Sequence, residues 1–160
     1  MNDAIFERNL LRHLAIKSYA ELYVAGNTTA AAIPTGTTFT KVSPAGLTLG
    51  NYKNCSASVA NSNIVISKSG KYKINASFSS QIATSDVIWD TAIFINGVEA
   101  PNLHMRRRFS TSGYTFNIGL AGISNLAVGD VIDVRCKHNN ASSVSITLEY
   151  ANINITRIGD

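Results

Sequence analysis

The chain has 160 residues, 45% of them apolar and only 15% charged, with a formal net charge of +4 and two cysteines. That length holds one domain, or one domain with an appendage, and the apolar share is enough for a core. Apart from the run Arg106-Arg107-Arg108 the basic residues are scattered, which argues against a nucleic-acid module, where Lys and Arg cluster with aromatics on one face. Two distant cysteines, Cys55 and Cys136, do not make a structural zinc site. Free thiols are the expectation; a bridge stays open if the fold juxtaposes them.

Residues 1–20 read as a helix. Asn2 or Asp3 can cap it, and Asp3 and Glu7 suit the positive end of its dipole. Phe6, Leu10, Leu11 and Leu14 recur at helical spacing. A short helix with apolar residues on more than one side does not stand alone in water. It is expected to pack on its own domain, on its copies or on another protein, and these four residues are the candidates for anchoring. Asp3, Glu7 and Arg8 stand where a signal peptide is apolar, and no apolar run approaches a membrane span. Synthesis in the cytoplasm without an export signal, and no membrane insertion, are therefore expected.

From Tyr19 onward the pattern is strands and turns, so 21–160 is expected to form one β domain. ELYV at 21–24 is a short strand, 26–36 a loop, TTFTKV at 37–42 a strand, PAG at 44–46 a turn and 63–67 a strand. In KYKINASFS, Tyr72, Ile74, Ala76 and Phe78 alternate with polar residues, as in a half-buried antiparallel strand. Asn96-Gly97, between the apolar flanks of VIWDTAIFINGVEA, is the strongest hairpin signal in the chain. Its return strand, VEAPNLHMRRRFS, carries Pro101, which marks an edge or a bulge. Residues 114–126 alternate again, and Gly129-Asp130 turns into VIDVRCKH. In the last run, Val144, Ile146, Leu148 and Tyr150 share one face and Ile153 and Ile155 the other phase, which predicts a β-bulge at Ala151-Asn152. The sum is about eight to ten short strands, an all-β antiparallel sandwich or jelly roll.

The residues from about Tyr19 to the C-terminus resemble the jelly roll of the complement globular-head and tumour necrosis factor superfamily. The likeness lies in Ser69-Gly70-Lys71-Tyr72-Lys73-Ile74, in the hairpin IFINGVEA, and in the Leu126, Gly129, Asp130, Ile132 motif that follows the alternating strand. Members form tight trimers whose apolar and aromatic faces pack around a three-fold axis, so the resemblance implies a homotrimer. Three N-terminal helices then bundle beneath the jelly rolls or dock on a partner, with docking favoured because the heptad is not clean. Compact trimeric jelly rolls of this kind also occur in bacteriophage virions, as head fibres, capsid decorations and tail-fibre tips, and the unsignalled start fits such a product.

No catalytic motif is present: no Gly-x-Ser-x-Gly elbow, P-loop or paired-carboxylate pattern, and His13, His104 and His138 have no metal-binding spacing. His104 beside Asp90 suggests an acid–base pair across the hairpin, although a solvated strand histidine is the favoured reading. Asp86, Asp90 and Asp133 are calcium candidates without a dense ligand loop, and surface acids are favoured. Neither an enzyme nor a cofactor is expected. In HMRRRFS, alternation directs His104, Arg106 and Arg108 one way and Leu103, Met105, Arg107 and Phe109 the other. Arg107 interrupts an apolar face and needs a partner, with Asp90, Glu99 or an acid of another subunit as candidates. Arg107, Met105, Phe109, Tyr114, Phe116, Trp89 and Tyr150 are the candidate trimer-interface residues, a sheet edge being the alternative for Arg107.

Two functions remain. One is a trimeric virion protein, a capsid decoration or head fibre that contacts other virion proteins through its N-terminal segment. The other is a receptor-binding tip that holds a host glycan or protein in loops 26–36, 81–86 and 138–143.

Overall fold

The structure is a computed structural model that describes residues 17–34 and 37–160. Phe6, Leu10, Leu11 and Leu14, with nearly all of the expected helix, lie outside the described residues. The last part of that expected helix is strand, because Ala20, Leu22 and Val24 alternate with outward Tyr19, Glu21 and Tyr23. The first strand, β1, spans Tyr19–Ala25.

Eleven strands follow among the described residues. They are β2 (Ala31–Ile33), β3 (Thr40–Lys41), β4 (Thr48–Leu49), β5 (Cys55–Ser58), β6 (Asn63–Ile66), β7 (Gly70–Ile82), β8 (Val87–Ile95), β9 (Val98–Phe109), β10 (Thr115–Leu126), β11 (Val131–His138) and β12 (Val144–Gly159). One sheet has the order β10-β7-β12-β1-β4, with β2 on β12; the other has the order β5-β6-β11-β8-β9, with β3 on β11. Every pairing is antiparallel. The expected sandwich is therefore present, with more strands than the eight to ten anticipated. The additional ones are short: β2 is three residues within the segment read as a loop, and its Ala-Ala-Ile sequence has no alternation to reveal it.

The inner faces meet in one core. Tyr72, Ile74, Ala76 and Phe78 of β7 are all buried, as their alternation predicts, against Trp89, Ile93, Ile132 and Ile155. Asn96 and Gly97 take φ of 52° and 80°, the paired positive values that a two-residue hairpin turn between twisted strands requires. Pro101 sits on β9, an edge strand paired only with β8, and a register shift lies opposite between Ala92 and Phe94. Both readings of that proline hold.

The bulge in β12 lies earlier than expected. Pairing with β7 skips Glu149, between Leu148 and Tyr150. Leu148 is the last buried residue of the first phase, and Ile153 and Ile155 of the second phase face the same core. Tyr150 is thereby turned to solvent, 57% exposed, rather than sharing a face with Leu148.

The Gly-x-Tyr opening of β7 also gains a physical reason. Arg157 of β12 crosses Gly70, where a Cβ would overlap the Gly159 carbonyl oxygen and meet Arg157 Nε at 2.5 Å. Gly70 φ is 148°, in the region L residues avoid. Arg157 donates from Nε to the Ser69 carbonyl at 2.8 Å and pairs with Asp160. Gly70→Ala is expected to destabilise the fold by about 2 kcal/mol, measured by urea unfolding. Unchanged stability would contradict the close approach.

Candidate functional site

The outward residues of the first sheet form a grid whose rows follow from register. One row runs Asn117, Ser79, Tyr150, Ala25; the next runs Gly119, Ser77, Asn152, Tyr23, Thr48. Neither row contains a charge. A third row, Ala121, Asn75, Asn154, Glu21, brings the first acid. Its polar groups satisfy one another: Asn75 donates to Asn154 at 3.1 Å, Asn154 to Asn152 at 2.7 Å, and Asn152 to the Glu21 carboxylate at 2.6 Å. Ser79 donates to Asn117 at 2.7 Å. A face already paired within itself is desolvated at less cost than one with free donors and acceptors.

The outward face of the second sheet is charged and aromatic instead. Asp90, whose side chain is 6% exposed, accepts from Arg106 Nε at 2.8 Å and NH2 at 3.2 Å. His104 bridges Asp90 at 2.8 Å through Nε2 and Glu99 at 2.6 Å through Nδ1. A carboxylate only accepts, so each of these contacts uses an N–H on the ring nitrogen that makes it. Phe39 packs edge-on against Phe94 and His104. Arg135 lies 4.4 Å from the Phe94 ring centre and Lys137 4.3 Å from that of Phe39. The acid–base pair set aside in favour of a solvated histidine is therefore formed, as an ion-pair network. Arg106, not Arg107, takes Asp90, because Asp90 and Arg106 are directly opposed across the hairpin and share a face.

Arg107 closes the seam between the sheets' free edges. It donates to the Asn117 carbonyl of β10 at 2.9 Å and lies near the Phe109 and Phe116 rings, which are themselves 4.0 Å apart. Asn102 donates to the Ile123 carbonyl on the same strand. These contacts cap edge carbonyls of β10 that another strand would otherwise seek. In the single chain Arg107 thus lies at the sheet edge, and it is exposed.

Of the other candidate interface residues, Trp89 is fully buried, donating to Thr91 Oγ1 at 3.0 Å and stacked on His138. Phe109 and Phe116 are also inside, so packing within the chain accounts for all three. Met105, Tyr114 and Tyr150 reach solvent. Asp86, Asp90 and Asp133 are not gathered: Asp86 pairs with Arg108, Asp90 with Arg106 and His104, and Asp133 with Lys41 and Arg135. Among the described residues no His, Cys, Asp and Glu cluster gathers to hold a metal, and no helix is long and apolar enough to cross a membrane. Cys55 and Cys136 are free and buried. Burial pushes the Cys136 thiol up to about 12 against the opposing hydrogen bonds from Thr91 and Trp89.

The molecule has two distinct ends. Loops 26–30, 83–86, 110–114 and 139–143 gather at one, where Asn27 N bonds Glu149 O, Ala83 N bonds Ser145 O, Gly113 N bonds Ile82 O and Asn139 N bonds Ile88 O. Tyr114 there is 72% exposed. At the opposite end the chain enters β1 beside the last residues of β12, with Arg157 N bonded to Ser18 O. The turns 67–69, 96–97 and 127–130 lie at that same end.

No protein-family model matches the chain, and no curated protein matches it. Solved structures do. Eiger TNF from S. frugiperda superposes with a TM-score of 0.59 at 11% identity, covering 89% of this chain and 94% of that one. Murine APRIL at pH 5.0 gives 0.59 at 14% identity, covering 89% and 99%, and its pH 8.0 structure 0.55 at 13%, with the same coverage.

Burial alone would raise the Asp90 carboxyl, but the hydrogen bonds and charges of Arg106 and His104 together outweigh it and hold it below its usual range. A depressed carboxyl contributes stability above its ordinary value near about pH 4 and loses it as pH falls through the lower folded value. Asp90→Asn is expected to cost about 2 kcal/mol at pH 7 and to unfold with a shallower acid dependence below about pH 4, read by urea titration across pH. Parental stability at pH 7 would contradict the network. Both thiols should resist a thiol reagent at pH 8 in the folded protein and react on unfolding; rapid native labelling would contradict their burial.

In fold, then, this chain is a TNF-like jelly roll: an all-β antiparallel sandwich of two sheets.

Proposed function

We propose that this protein is a non-enzymatic structural jelly roll that assembles as a homotrimer and serves as a capsid decoration or head fibre of a bacteriophage virion. The observation that carries the assembly is the outward face of the first sheet. Its two central rows hold only Asn, Ser, Thr, Tyr, Gly and Ala, so a second copy can cover them without stranding a charge. The trimeric habit implied by the resemblance to the tumour necrosis factor superfamily supports the same reading. The polarity of the molecule gives the assembly a direction. Residues 1–16 join the domain at the end opposite the loop cluster, so attachment to other virion proteins falls at one end and the loops project from the other. Synthesis in the host cytoplasm, followed by incorporation into the virion, completes this reading.

A second reading, a receptor-binding tip for a host glycan or protein, is favoured by one observation. Residues 26–30, 83–86 and 139–143, within the loops expected to make that contact, lie at the end away from where the described chain enters β1, with exposed Tyr114.

Ser77 lies at the centre of the neutral face. Ser77→Arg is expected to weaken assembly by about 3 kcal/mol or more and to shift the sedimenting species from trimer to monomer. A variant that stays trimeric would overturn this interface. Deleting residues 1–16 is expected to leave a folded trimer that no longer decorates particles, scored by electron microscopy; decoration by the truncated protein would remove the attachment role.

A further inference from the structure

The lysines that look scattered in sequence are gathered by strand register. Lys73 of β7 pairs with Thr156, Thr156 with Tyr19, and Tyr19 with Lys53, so Lys73 and Lys53 share one outward row of the first sheet. They are three strand spacings apart, about 14 Å. Lys71 stands one row nearer the end, opposite Gly159 and Asn125. Lys17 stands two residues before β1, and its carbonyl accepts from the Asn54 side chain next to Lys53. Lys17, Lys53, Lys71 and Lys73 are all exposed. Lys68 lies in the adjoining turn.

None of these lysines forms an ion pair among the described residues. The acids at this end are engaged elsewhere. Asp130 accepts from Asn96 and the Ala127 N–H, Asp160 pairs with Arg157, and Glu21, one row inward, accepts from Asn152. The arginines of the described chain are engaged too: Arg106, Arg108, Arg135 and Arg157 with carboxylates, and Arg107 with the Asn117 carbonyl. Among the described residues, most of the cations without a carboxylate partner therefore lie in a lysine rim at one end; the others are Lys137, over the Phe39 ring, and Arg107 at the seam. Exposed Ile123 and Tyr52, on or beside the same row, and Ile158 near the chain end supply apolar contact between the charges.

We infer that this rim is a docking surface for an acidic protein surface. The inference deepens the attachment reading above and rests on it, because residues 1–16 join the domain at this same end. The charge is lysine, a compact hydrated ammonium, and not the planar arginine fork suited to paired phosphate oxygens. The rim lies on a sheet face at the ends of its strands, with exposed Ile123 and Ile158 among its charges, a form that meets a folded protein surface. Exposed lysines facing carboxylates act over roughly a Debye length and steer encounter more than they hold, so attachment of this kind is salt-sensitive.

The test uses the full chain and poly-L-glutamate as the acidic probe, with duplex DNA and vesicles containing phosphatidylserine as the competing classes. Binding to polyglutamate is expected at low salt and should be lost as ionic strength rises from about 0.1 to about 1 M, which shortens the Debye length from about 10 to about 3 Å. The double variant Lys53→Glu/Lys73→Glu should bind at least about tenfold more weakly, while Arg108→Gln, at the opposite end, should bind as the parent does. Equal binding by the two variants, or tighter binding to DNA or to vesicles than to polyglutamate, would overturn the proposal. Light scattering on the same samples separates it from the reading it rests on: a trimer indifferent to polyglutamate removes the rim alone, and a monomer removes the assembly.

Discussion

The C-terminal strand is the element on which the first sheet depends. β12 pairs with β7 along most of its length and with β1 and β2 on its other side, so three stretches distant in sequence are held by one strand. An antiparallel strand of this length must keep its apolar phase towards the core throughout. The sequence of β12 breaks that phase, and the extra residue at Glu149 restores it. Without the bulge, either Val144, Ile146 and Leu148 or Ile153 and Ile155 would face water. The same bulge turns Tyr150 outward, so a device that serves the core also completes the neutral face opposite it.

The two sheets divide the chemistry of the surface between them. On the second sheet Asp90 and Asp133 are met by Arg106 and by Lys41 and Arg135, Glu99 and Asp90 share His104, and Phe39 and Phe94 cover part of that network. Such a face is paired within the chain. On the first sheet two central rows are uncharged, the polar groups are linked side chain to side chain as far as Glu21, and lysines are confined to the end where the described chain enters β1. A small domain whose charges are segregated in this way has one face suited to burial and one end suited to charge complementarity. The proposed assembly through the first and the proposed attachment through the second would both follow from that segregation.

Much of this fold was legible in the sequence, because alternation, turn residues and edge markers each have a local cause. The β7 run, the Asn96-Gly97 hairpin and Pro101 on an edge strand were readable for that reason. What escaped had no local signature. β2 is short and lacks alternation, and the bulge sits two residues before the place where the pattern visibly changes. The partner of each arginine depended on register across the hairpin, which set Arg106 opposite Asp90 and left Arg107 for the seam. The lysine rim was invisible for the same reason: its members come from three separate segments that only strand pairing brings into neighbouring rows.

The proposed trimer requires that the outward face of the first sheet be covered by other copies of the chain. Hydroxyl-radical footprinting of the full protein in solution reads this directly, because Tyr150 on that face and Tyr114 in the loop cluster are 57% and 72% exposed in the single chain. Covering the face predicts that Tyr150 is protected while Tyr114 is oxidised. Oxidation of both at rates in keeping with their single-chain exposure would contradict it.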